Sequence, residues 1–281
     1  MDKKTDSGWL EQGQVYGLLG NPVAHSLSPL MHRAAFRAMG LRADYVAFQV
    51  VDLPSAIGGI RGLNICGASV TIPFKEKVMC LLEEVEDVAS KIGAVNTILN
   101  GRGRLMGQNT DWLGFQKAIS AHVQVCGKTF LILGTGGTAR AAAFAIWSLG
   151  GTAVVLGRDL KKARNLAREL GCSYESMEGL GEIEALGLIN TTPVGMAPRV
   201  EESLVPRRIL GKFQVVMDVV YNPLDTRLLR EARQQGSLAI GGIEMFVHQG
   251  AEQIRIWTGM EPPLELMRNV VISRLEGKDA D

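Results

Sequence analysis

The feature that most constrains the fold is a glycine-rich turn between an apolar strand and an alanine-rich helix. Residues 130–133 are all apolar, and the chain continues Gly134-Thr135-Gly136-Gly137-Thr138-Ala139. A helical pattern follows over residues 138–149, and a second apolar strand covers residues 153–156. In a βαβ unit of this spacing the first glycine permits a sharp turn, the second lets the backbone approach a pyrophosphate, and the small third residue allows close helix packing. The segment predicts a dinucleotide site at a helix N-terminus.

The residues after the second strand bear on which dinucleotide binds. The chain reads Gly157-Arg158-Asp159, and Lys162 follows on the next predicted helix. An acidic residue at this point binds the ribose 2′-hydroxyl of NAD, whereas a basic residue accommodates the 2′-phosphate of NADP. Arg158 can bind a phosphate through its planar guanidinium, and Lys162 can add a second cation. Asp159 could bind a ribose hydroxyl or repel a phosphate, so we predict NADP, with NAD as the alternative.

Apolar runs separated by helical patterns predict an α/β fold with parallel strands covered on both faces. We predict two domains. A substrate-binding and catalytic domain with a mostly parallel sheet covers residues 15–112, and a Rossmann-type dinucleotide-binding domain covers residues 113–245. Residues 246–276 form helices without strand partners and are predicted to pack back onto the first domain. A polar-faced helix is also predicted over residues 76–88.

The composition excludes several classes of protein. Lys plus Arg is 30 and Asp plus Glu is 29, so the net charge of +1 gives no basic surface for nucleic acid. The four cysteines form no CxxC pair and lie near no histidine cluster, which is typical of thiols in a reducing compartment and predicts no metal. The longest uncharged stretch is interrupted by Gly150-Gly151, and the N-terminal residues lack a signal-peptide core. We expect a cytoplasmic protein with no membrane partner.

Several polar residues stand in otherwise apolar settings in the first 111 residues. Taken singly, each has an ordinary structural explanation. Ser28 and Asp111 fit helix caps, Lys75 fits a surface position at the start of a helix, and Asn96 fits a turn.

Read in order, these residues belong to motifs that resemble the shikimate dehydrogenase family over residues 15–275. The motifs are Gly20-Asn21-Pro22-Val23-Ala24-His25-Ser26-Leu27-Ser28-Pro29, Ser69-Val70-Thr71-Ile72-Pro73-Phe74-Lys75, Gly93-Ala94-Val95-Asn96-Thr97, Gly107-Gln108-Asn109-Thr110-Asp111, the glycine turn, Asn190-Thr191-Thr192-Pro193-Val194-Gly195-Met196 and Gly241-Gly242-Ile243-Glu244-Met245-Phe246-Val247-His248-Gln249. Three positions differ from the usual pattern: Ser69 replaces Asn, Gly157-Arg158-Asp159 replaces Asn-Arg-Thr, and Pro193 replaces a frequent Ser.

The resemblance implies a role for each matching residue. Lys75 and Asp111 would be the catalytic pair. Substrate would be bound by Ser26, Ser28, Thr71, Lys75, Asn96, Asp111, Tyr221 and Gln249, the two serines holding its carboxylate. Besides the glycine turn, Arg158, Asp159 and Lys162, the cofactor would contact Thr191, Val219, Gly242 and Met245. The expected activity is reversible, NADPH-dependent reduction of 3-dehydroshikimate to shikimate on the chorismate route to aromatic amino acids.

The residue types suit this chemistry, because oxidation of an alcohol needs a hydride acceptor and a base within hydrogen-bond distance of the hydroxyl. Several alternatives remain open at this point. They are an NAD-preferring quinate/shikimate dehydrogenase, a folate-linked dehydrogenase/cyclohydrolase with a similar lysine, and a non-catalytic NADP-binding regulator of the same fold. The paired serines disfavour the folate enzyme, and the presence of both Lys75 and Asp111 disfavours the regulator. A monomer and a homodimer fit the sequence equally well.

Overall fold

The computed structural model describes residues 13–278, which form two six-stranded sheets with helices packed around them. The strands are β1 (Gln14–Gly20), β2 (Ala43–Gln49), β3 (Gly67–Val70), β4 (Glu84–Val85), β5 (Thr97–Gly101), β6 (Arg104–Gln108), β7 (Thr129–Leu133), β8 (Thr152–Gly157), β9 (Ser173–Ser176), β10 (Gly187–Asn190), β11 (Val215–Asp218) and β12 (Leu238–Ile240). The helices are α1 (Ser28–Ala38), α2 (Leu53–Gly62), α3 (Asp87–Ile92), α4 (Asp111–Ser120), α5 (Gly137–Ser148), α6 (Leu160–Leu170), α7 (Arg207–Leu210), α8 (Arg227–Gln234), α9 (Ile243–Thr258) and α10 (Leu264–Leu275).

The second sheet has the strand order β12-β11-β10-β7-β8-β9, and every pair in it is parallel. Its central strands β7, β10 and β11 are buried on both faces, which is why they are mainly apolar rather than alternating. The chain reverses its direction of winding between β7 and β10. A crevice therefore opens beyond the carboxyl ends of these two strands, where Gly134 and Thr191 follow. This arrangement confirms the Rossmann-type prediction.

The first sheet has the order β2-β1-β3-β5-β6-β4. Strand β1 is parallel to β2 and β3, and β4 is parallel to β6, whereas β5 runs antiparallel to both of its neighbours. The mostly parallel character expected from the sequence is confirmed. Strands β1 and β3 lie side by side, so the segments after Gly20 and Val70 start at the same edge. The amide of Thr71 donates to the carbonyl of Leu19 at 2.9 Å and joins the two strand ends there.

The two C-terminal helices pack on the first sheet. Phe246, Val247 and Ile254 of α9 share one apolar cluster with Tyr16 and with Met31 of α1. Helix α10 contributes to the same cluster and contacts α1. Because these helices have no strand of their own to cover, they bury their apolar faces against the earlier part of the chain.

The prediction of a helix over residues 76–88 is wrong. The structure has a short 3₁₀-helix, Lys77–Leu81, and then the two-residue strand β4 at the edge of the first sheet. The amide of Leu105 donates to the Glu83 carboxylate at 2.7 Å, and β4 pairs with β6 in register. Pairing with a strand about twenty residues away therefore overrides the local helical pattern.

Within residues 13–278, no helix is long and apolar enough to cross a membrane. The same part of the chain contains no group of three or more His, Cys, Asp or Glu side chains arranged to hold a metal ion.

A buried carboxyl group marks the end of β11. Asp218 is fully buried and accepts hydrogen bonds from Asn190 Nδ2 at 2.9 Å, the Val220 amide at 3.1 Å and the Thr226 hydroxyl at 2.7 Å. Burial raises the pKa of Asp218 to about 6, and the three hydrogen bonds only partly oppose that effect.

The raised pKa of Asp218 makes a prediction about stability. Because the folded chain binds this proton more tightly than the unfolded chain, the contribution of Asp218 to the free energy of unfolding is largest below pH about 4 and declines as the pH rises through about 6. Asp218→Asn cannot ionise and keeps an oxygen for Asn190. Its stability relative to the parent should therefore rise by up to ~3 kcal/mol between pH about 4 and about 7. Urea unfolding of both proteins across this range measures the difference, and a pH-independent difference would contradict the prediction.

Candidate active site

An ammonium and a carboxylate from distant parts of the chain meet at the first sheet. Lys75 Nζ lies 2.6 Å from Asp111 Oδ2, although the two residues are 36 positions apart. Their side chains are only 12% and 5% exposed. Lys75 is therefore not a surface lysine, and the Asp111 side chain is engaged with a cation and not with a helix amide. A nearly dry ion pair of this kind persists only when its remaining polar atoms also have partners.

Asp111 is held on its other side by Asn96. The Asn96 side chain donates to Asp111 Oδ1 at 2.7 Å, which leaves Oδ2 for the lysine. The backbone amide of Asp111 donates to Asn109 Oδ1 at 3.0 Å, and Asp111 is the first residue of α4. A negative charge in the first turn of a helix is favoured by the helix dipole. Asn96 thus orients the carboxylate rather than serving only in a turn.

Lys75 also contacts the dinucleotide-binding part of the chain. Its Nζ donates to the Thr138 hydroxyl at 3.2 Å, in the first turn of α5. A Cβ added to Gly137 would lie 2.9 Å from Lys75 Cβ, so only glycine permits this approach of α5. Nearby, Arg140 of α5 pairs with Glu169 at 2.7 Å and lies 3.6 Å from Glu76. The lysine and the glycine turn therefore lie at one junction.

The predicted carboxylate-binding serines lie beside tyrosines. Ser28 is the first residue of α1, and its amide donates to Ser26 Oγ at 3.2 Å, so its side chain does not cap the helix. Burial raises the pKa of Tyr221 to about 12, against hydrogen bonds with the Leu27 backbone and the Ser26 side chain. Tyr221 stacks on Phe246 of α9 with ring centroids 4.2 Å apart. A neutral phenol and two hydroxyls can bind a carboxylate by hydrogen bonds.

The other predicted substrate residues lie close to these elements. Thr71 stands at the edge shared by β1 and β3, and its carbonyl accepts from the Phe74 amide at 2.9 Å. Gln249 of α9 is 9% exposed and donates through Nε2 to the Phe246 carbonyl at 2.8 Å on its own helix. A Cβ added to Gly114 of α4 would lie 3.2 Å from Gln249 Cβ, so Gln249 packs beside the helix that starts with Asp111.

A cleft of about 710 Å³ contains both the lysine and the glycine turn. The predicted cofactor residues that line it are Gly134, Thr135, Gly136, Gly137, Thr138, Arg158, Asp159, Lys162 and Thr191. Its wall also includes residues that the sequence did not single out as cofactor contacts, among them Glu76, Met177 and Leu204. Single residues outside any motif carry no local signal for such a role, which only the folded chain reveals.

Four predicted cofactor residues do not line this cleft. Ala139 is 1% exposed and packs in the core, as the small third residue of the motif should, and Met245 is buried in the same cluster. A Cβ added to Gly242 would lie 2.3 Å from the Val219 carbonyl, so these two residues contact each other. A contact of these four residues with the cofactor stays a prediction.

The residues of the cleft fit a dinucleotide. A Cβ added to Gly136 would meet no atom within 4 Å, so the backbone is open to a ligand at the N-terminus of α5. Gly134 has a φ of +122°, which a residue with a side chain rarely adopts. The amides of Lys161 and Lys162 donate to Asp159 Oδ1 at 3.0 and 3.1 Å, so this carboxylate caps α6. Arg158 and Lys162 are exposed at the rim and can face a phosphate.

Comparison with known proteins finds relatives over nearly the whole chain. The family model for the shikimate dehydrogenase substrate binding domain matches residues 18–98, and that for the shikimate 5′-dehydrogenase C-terminal domain matches residues 242–272. The chain is 46% identical to a shikimate dehydrogenase (NADP(+)) of Pyrococcus abyssi, over 93% of this chain and 98% of that one. It also matches the crystal structure of shikimate 5-dehydrogenase from Thermus thermophilus with NADP(H) and shikimate, at 37% identity and a TM-score of 0.85, covering 93% and 99% of the two chains. A quinate dehydrogenase from Corynebacterium glutamicum in complex with NAD matches at 29% identity and a TM-score of 0.86, covering 93% and 99%.

The two adjacent glycines of the turn should respond differently to alanine. Gly136→Ala adds a methyl group into open space, so the thermal midpoint should change little while dinucleotide affinity falls at least tenfold, because the methyl group occupies the space for a pyrophosphate. Gly137→Ala crowds Lys75 and should lower turnover as well. Thermal melts and dinucleotide titrations of both variants test this. Parent-like affinity in Gly136→Ala would show that the pyrophosphate binds elsewhere.

Proposed function

Because the chain belongs to the shikimate dehydrogenase family, it is an NADP-dependent shikimate dehydrogenase, and we propose that Lys75 and Asp111 form its catalytic pair. The reaction is the reversible reduction of 3-dehydroshikimate to shikimate, a step of aromatic amino acid biosynthesis. The observation that supports the proposed pair is the 2.6 Å contact between Lys75 Nζ and Asp111 Oδ2, in which Lys75 also lines a cleft shared with the glycine turn.

The alternative activities have weaker support. The curated relatives at 40–46% identity are named shikimate dehydrogenase (NADP(+)), whereas the NAD-bound quinate enzyme is 29% identical. Initial rates with shikimate and quinate, each with NADP and NAD, distinguish the two activities directly. A non-catalytic regulator would show no turnover with any of the four combinations.

In the proposed mechanism Lys75 transfers the proton. Bound NADPH supplies the hydride that reduces the ketone carbon of 3-dehydroshikimate. The Lys75 ammonium donates a hydrogen bond to the ketone oxygen and then its proton, and the amine takes the proton back from the hydroxyl in the oxidising direction. Asp111 Oδ2 and the Thr138 hydroxyl hold Nζ in place through both directions. Lys75 therefore handles the proton and the dinucleotide handles the hydride, and both would act in the same cleft.

We assign the remaining polar side chains to recognition of substrate and cofactor. Ser26, Ser28 and Tyr221 would bind the substrate carboxylate, and Thr71, Asn96, Asp111 and Gln249 its ring hydroxyls. A site built to bind hydroxyls rejects analogues that lack them, because its buried polar groups would be left unpaired. Residues 134–138 and Thr191 would hold the pyrophosphate and nicotinamide portions, and Arg158 with Lys162 the 2′-phosphate. Asp159 keeps its negative charge, but the Lys161 amide holds its carboxylate at the N-terminus of α6.

We further propose that residues 15–112 and 246–276 form the substrate lobe and residues 113–245 the dinucleotide lobe. The shared core of α9, α10, α1 and β1 supports this division. The expectation of a cytoplasmic location is supported by the four free thiols, Cys66, Cys80, Cys126 and Cys172. We also propose that the protein is a monomer or a homodimer. Light scattering on the purified protein would count the subunits.

Replacement of the lysine tests the catalytic assignment. Lys75→Met should lower kcat by about 10²- to 10⁴-fold, because the proton donor and acceptor is lost. Binding of NADP should stay within a few-fold of the parent, since the glycine turn lies in the other lobe. Lys77→Met is a matched control: it removes the same charge from an exposed position two residues away and should keep parent turnover. Near-normal kcat in Lys75→Met would refute the assignment.

The rim arginine should set the preference for NADP. Arg158→Ala removes a charge-assisted hydrogen bond to the 2′-phosphate, typically ~1.5–3 kcal/mol, so KM for NADP should rise about 10- to 100-fold. KM for NAD, which lacks that phosphate, should hardly change. The neighbouring exposed Lys161 does not line the cleft, and Lys161→Ala should therefore leave both KM values as they are. An equal rise for both cofactors would show that Arg158 contacts another part of the dinucleotide.

A further inference from the structure

We propose that Gln253 of α9 is a positioning residue that sets the orientation of the Asp111 carboxylate through Thr97 and Asn96. This inference rests on the proposed catalytic role of Asp111. Gln253 is 1% exposed and lies 157 positions after Asn96, yet it contacts Asn96 directly. Its side chain bonds Ser69, the Asn96 carbonyl and Thr97, and it also interacts with His32, so none of its partners is Lys75 or Asp111.

The orientation of the Gln253 amide is fixed at both ends. Its Oε1 accepts from the Ser69 hydroxyl at 2.7 Å, and the Ser69 oxygen accepts in turn from the Tyr45 phenol at 2.6 Å. Its Nε2 donates to the Asn96 carbonyl at 3.2 Å and to the Thr97 hydroxyl at 3.1 Å. A backbone carbonyl can only accept, so rotating the amide by half a turn would set two acceptors against each other. Only the observed orientation satisfies all four groups.

This fixed direction continues to the catalytic carboxylate. Because Nε2 of Gln253 occupies a lone pair of the Thr97 hydroxyl, the hydroxyl proton is free to go to Asn96 Oδ1 at 2.7 Å. Asn96 Oδ1 also accepts from the Thr110 amide at 2.7 Å, so the Asn96 nitrogen must face the other way. That nitrogen donates to Asp111 Oδ1 at 2.7 Å, and Oδ2 is left for the Lys75 ammonium. A chain of directed hydrogen bonds thus runs from α9 to the carboxylate.

Helix packing alone does not explain a glutamine at this position. Helix α9 is already held by Phe246, Val247 and Ile254 in an apolar cluster and by the Trp257 indole, which donates to the Ile98 carbonyl at 3.0 Å. A buried amide costs free energy of desolvation that an apolar side chain of the same length avoids. The gain from the amide is directional, since it specifies which way Thr97 and Asn96 donate.

The titratable groups packed against this amide are His32 and Tyr45. Burial lowers the pKa of His32 to about 4 and raises the pKa of Tyr45 above its usual range. Both are neutral at ordinary assay pH, so neither supplies a charge that could orient Asp111 in place of Gln253.

The first experiment replaces Gln253 with an apolar and with an acidic residue of similar length. Gln253→Met should lower kcat about 10- to 100-fold, the loss typical of a catalytic group displaced by about 1 Å, with KM for NADP unchanged. In Gln253→Glu the ionised carboxylate can only accept hydrogen bonds, so the Thr97 hydroxyl would donate to it instead of to Asn96. The protonated acid has a hydroxyl that can again donate to Thr97. The ratio of its kcat to that of the parent should therefore rise as the pH is lowered. A flat ratio would overturn the proposal.

The second experiment asks whether the effect passes through Thr97. Thr97→Val breaks the same chain, so Gln253→Met added to it should cost at most about a further twofold in kcat, whereas independent effects would multiply. Trp257→Phe is the matched control: it removes a hydrogen bond between the same helix and the same strand but leaves the chain to Asp111 intact. It should lower the thermal midpoint and keep parent kcat.

Several outcomes would overturn the proposal. Parent kcat in folded Gln253→Met, multiplicative losses in the double variant, or an equal loss of kcat in Trp257→Phe would each leave Gln253 with a packing role only. If Gln253→Met fails to fold, the pH response of Gln253→Glu and the kcat of Thr97→Val decide. Full activity of Lys75→Met would refute the proposed catalytic pair, whereas an inactive Lys75→Met with active Gln253→Met would refute only this inference.

Discussion

The contact between Lys75 Nζ and Asp111 Oδ2 requires several separate parts of the chain to be folded at once. Lys75 lies in the loop after β3, and Asp111 is the first residue of α4. Thr138, whose hydroxyl also accepts a hydrogen bond from the ammonium, lies in the first turn of α5. Removing two charges from water costs several kcal/mol per ion, and their attraction offsets this only when the remaining polar atoms are bonded. Asn96 and Thr138 meet that condition here. The geometry of the ion pair therefore depends on α4 and α5 both being in place beside the loop after β3.

The two sheets position their polar residues by the same arrangement of strands. In each, two parallel neighbours end at one edge, β1 beside β3 and β7 beside β10, and the polar residues follow these ends. Lys75 follows β3, and Gly134 and Thr191 follow β7 and β10, so segments that leave both sheets line one cleft. Gly137 lets the edges approach each other, since a Cβ there would lie 2.9 Å from Lys75 Cβ. In the proposed mechanism, hydride transfer and proton transfer therefore occur close together, although the residues involved follow strands of different sheets.

Helix α9 packs against both sheets. Met245 belongs to the core of the second sheet, whereas Phe246 and Val247 belong to that of the first, so the helix starts in one lobe and continues in the other. Its buried face also includes Gln249 and Gln253, spaced by four residues and therefore on the same side. The spacing of these two glutamines is the only sequence signal that could have drawn attention to Gln253. Two buried amides on an otherwise apolar face are better explained by the polar groups that they bond than by packing.

The sequence alone determined the features that depend on local periodicity and on residues with special backbone requirements. The glycine turn, the apolar strands around it and the helices of residues 243–275 are of this kind, because strand alternation, helix period and glycine conformation are properties of short segments. The motifs also identified Lys75, Asp111 and Asn96 through their family resemblance. Only the tertiary structure decided that residues 84–85 form an edge strand and which cofactor candidates line the cleft. It also decided the direction in which Gln253, Thr97 and Asn96 donate. These features depend on partners tens to more than a hundred residues away. Which group donates and which accepts is set only when folding brings both partners together.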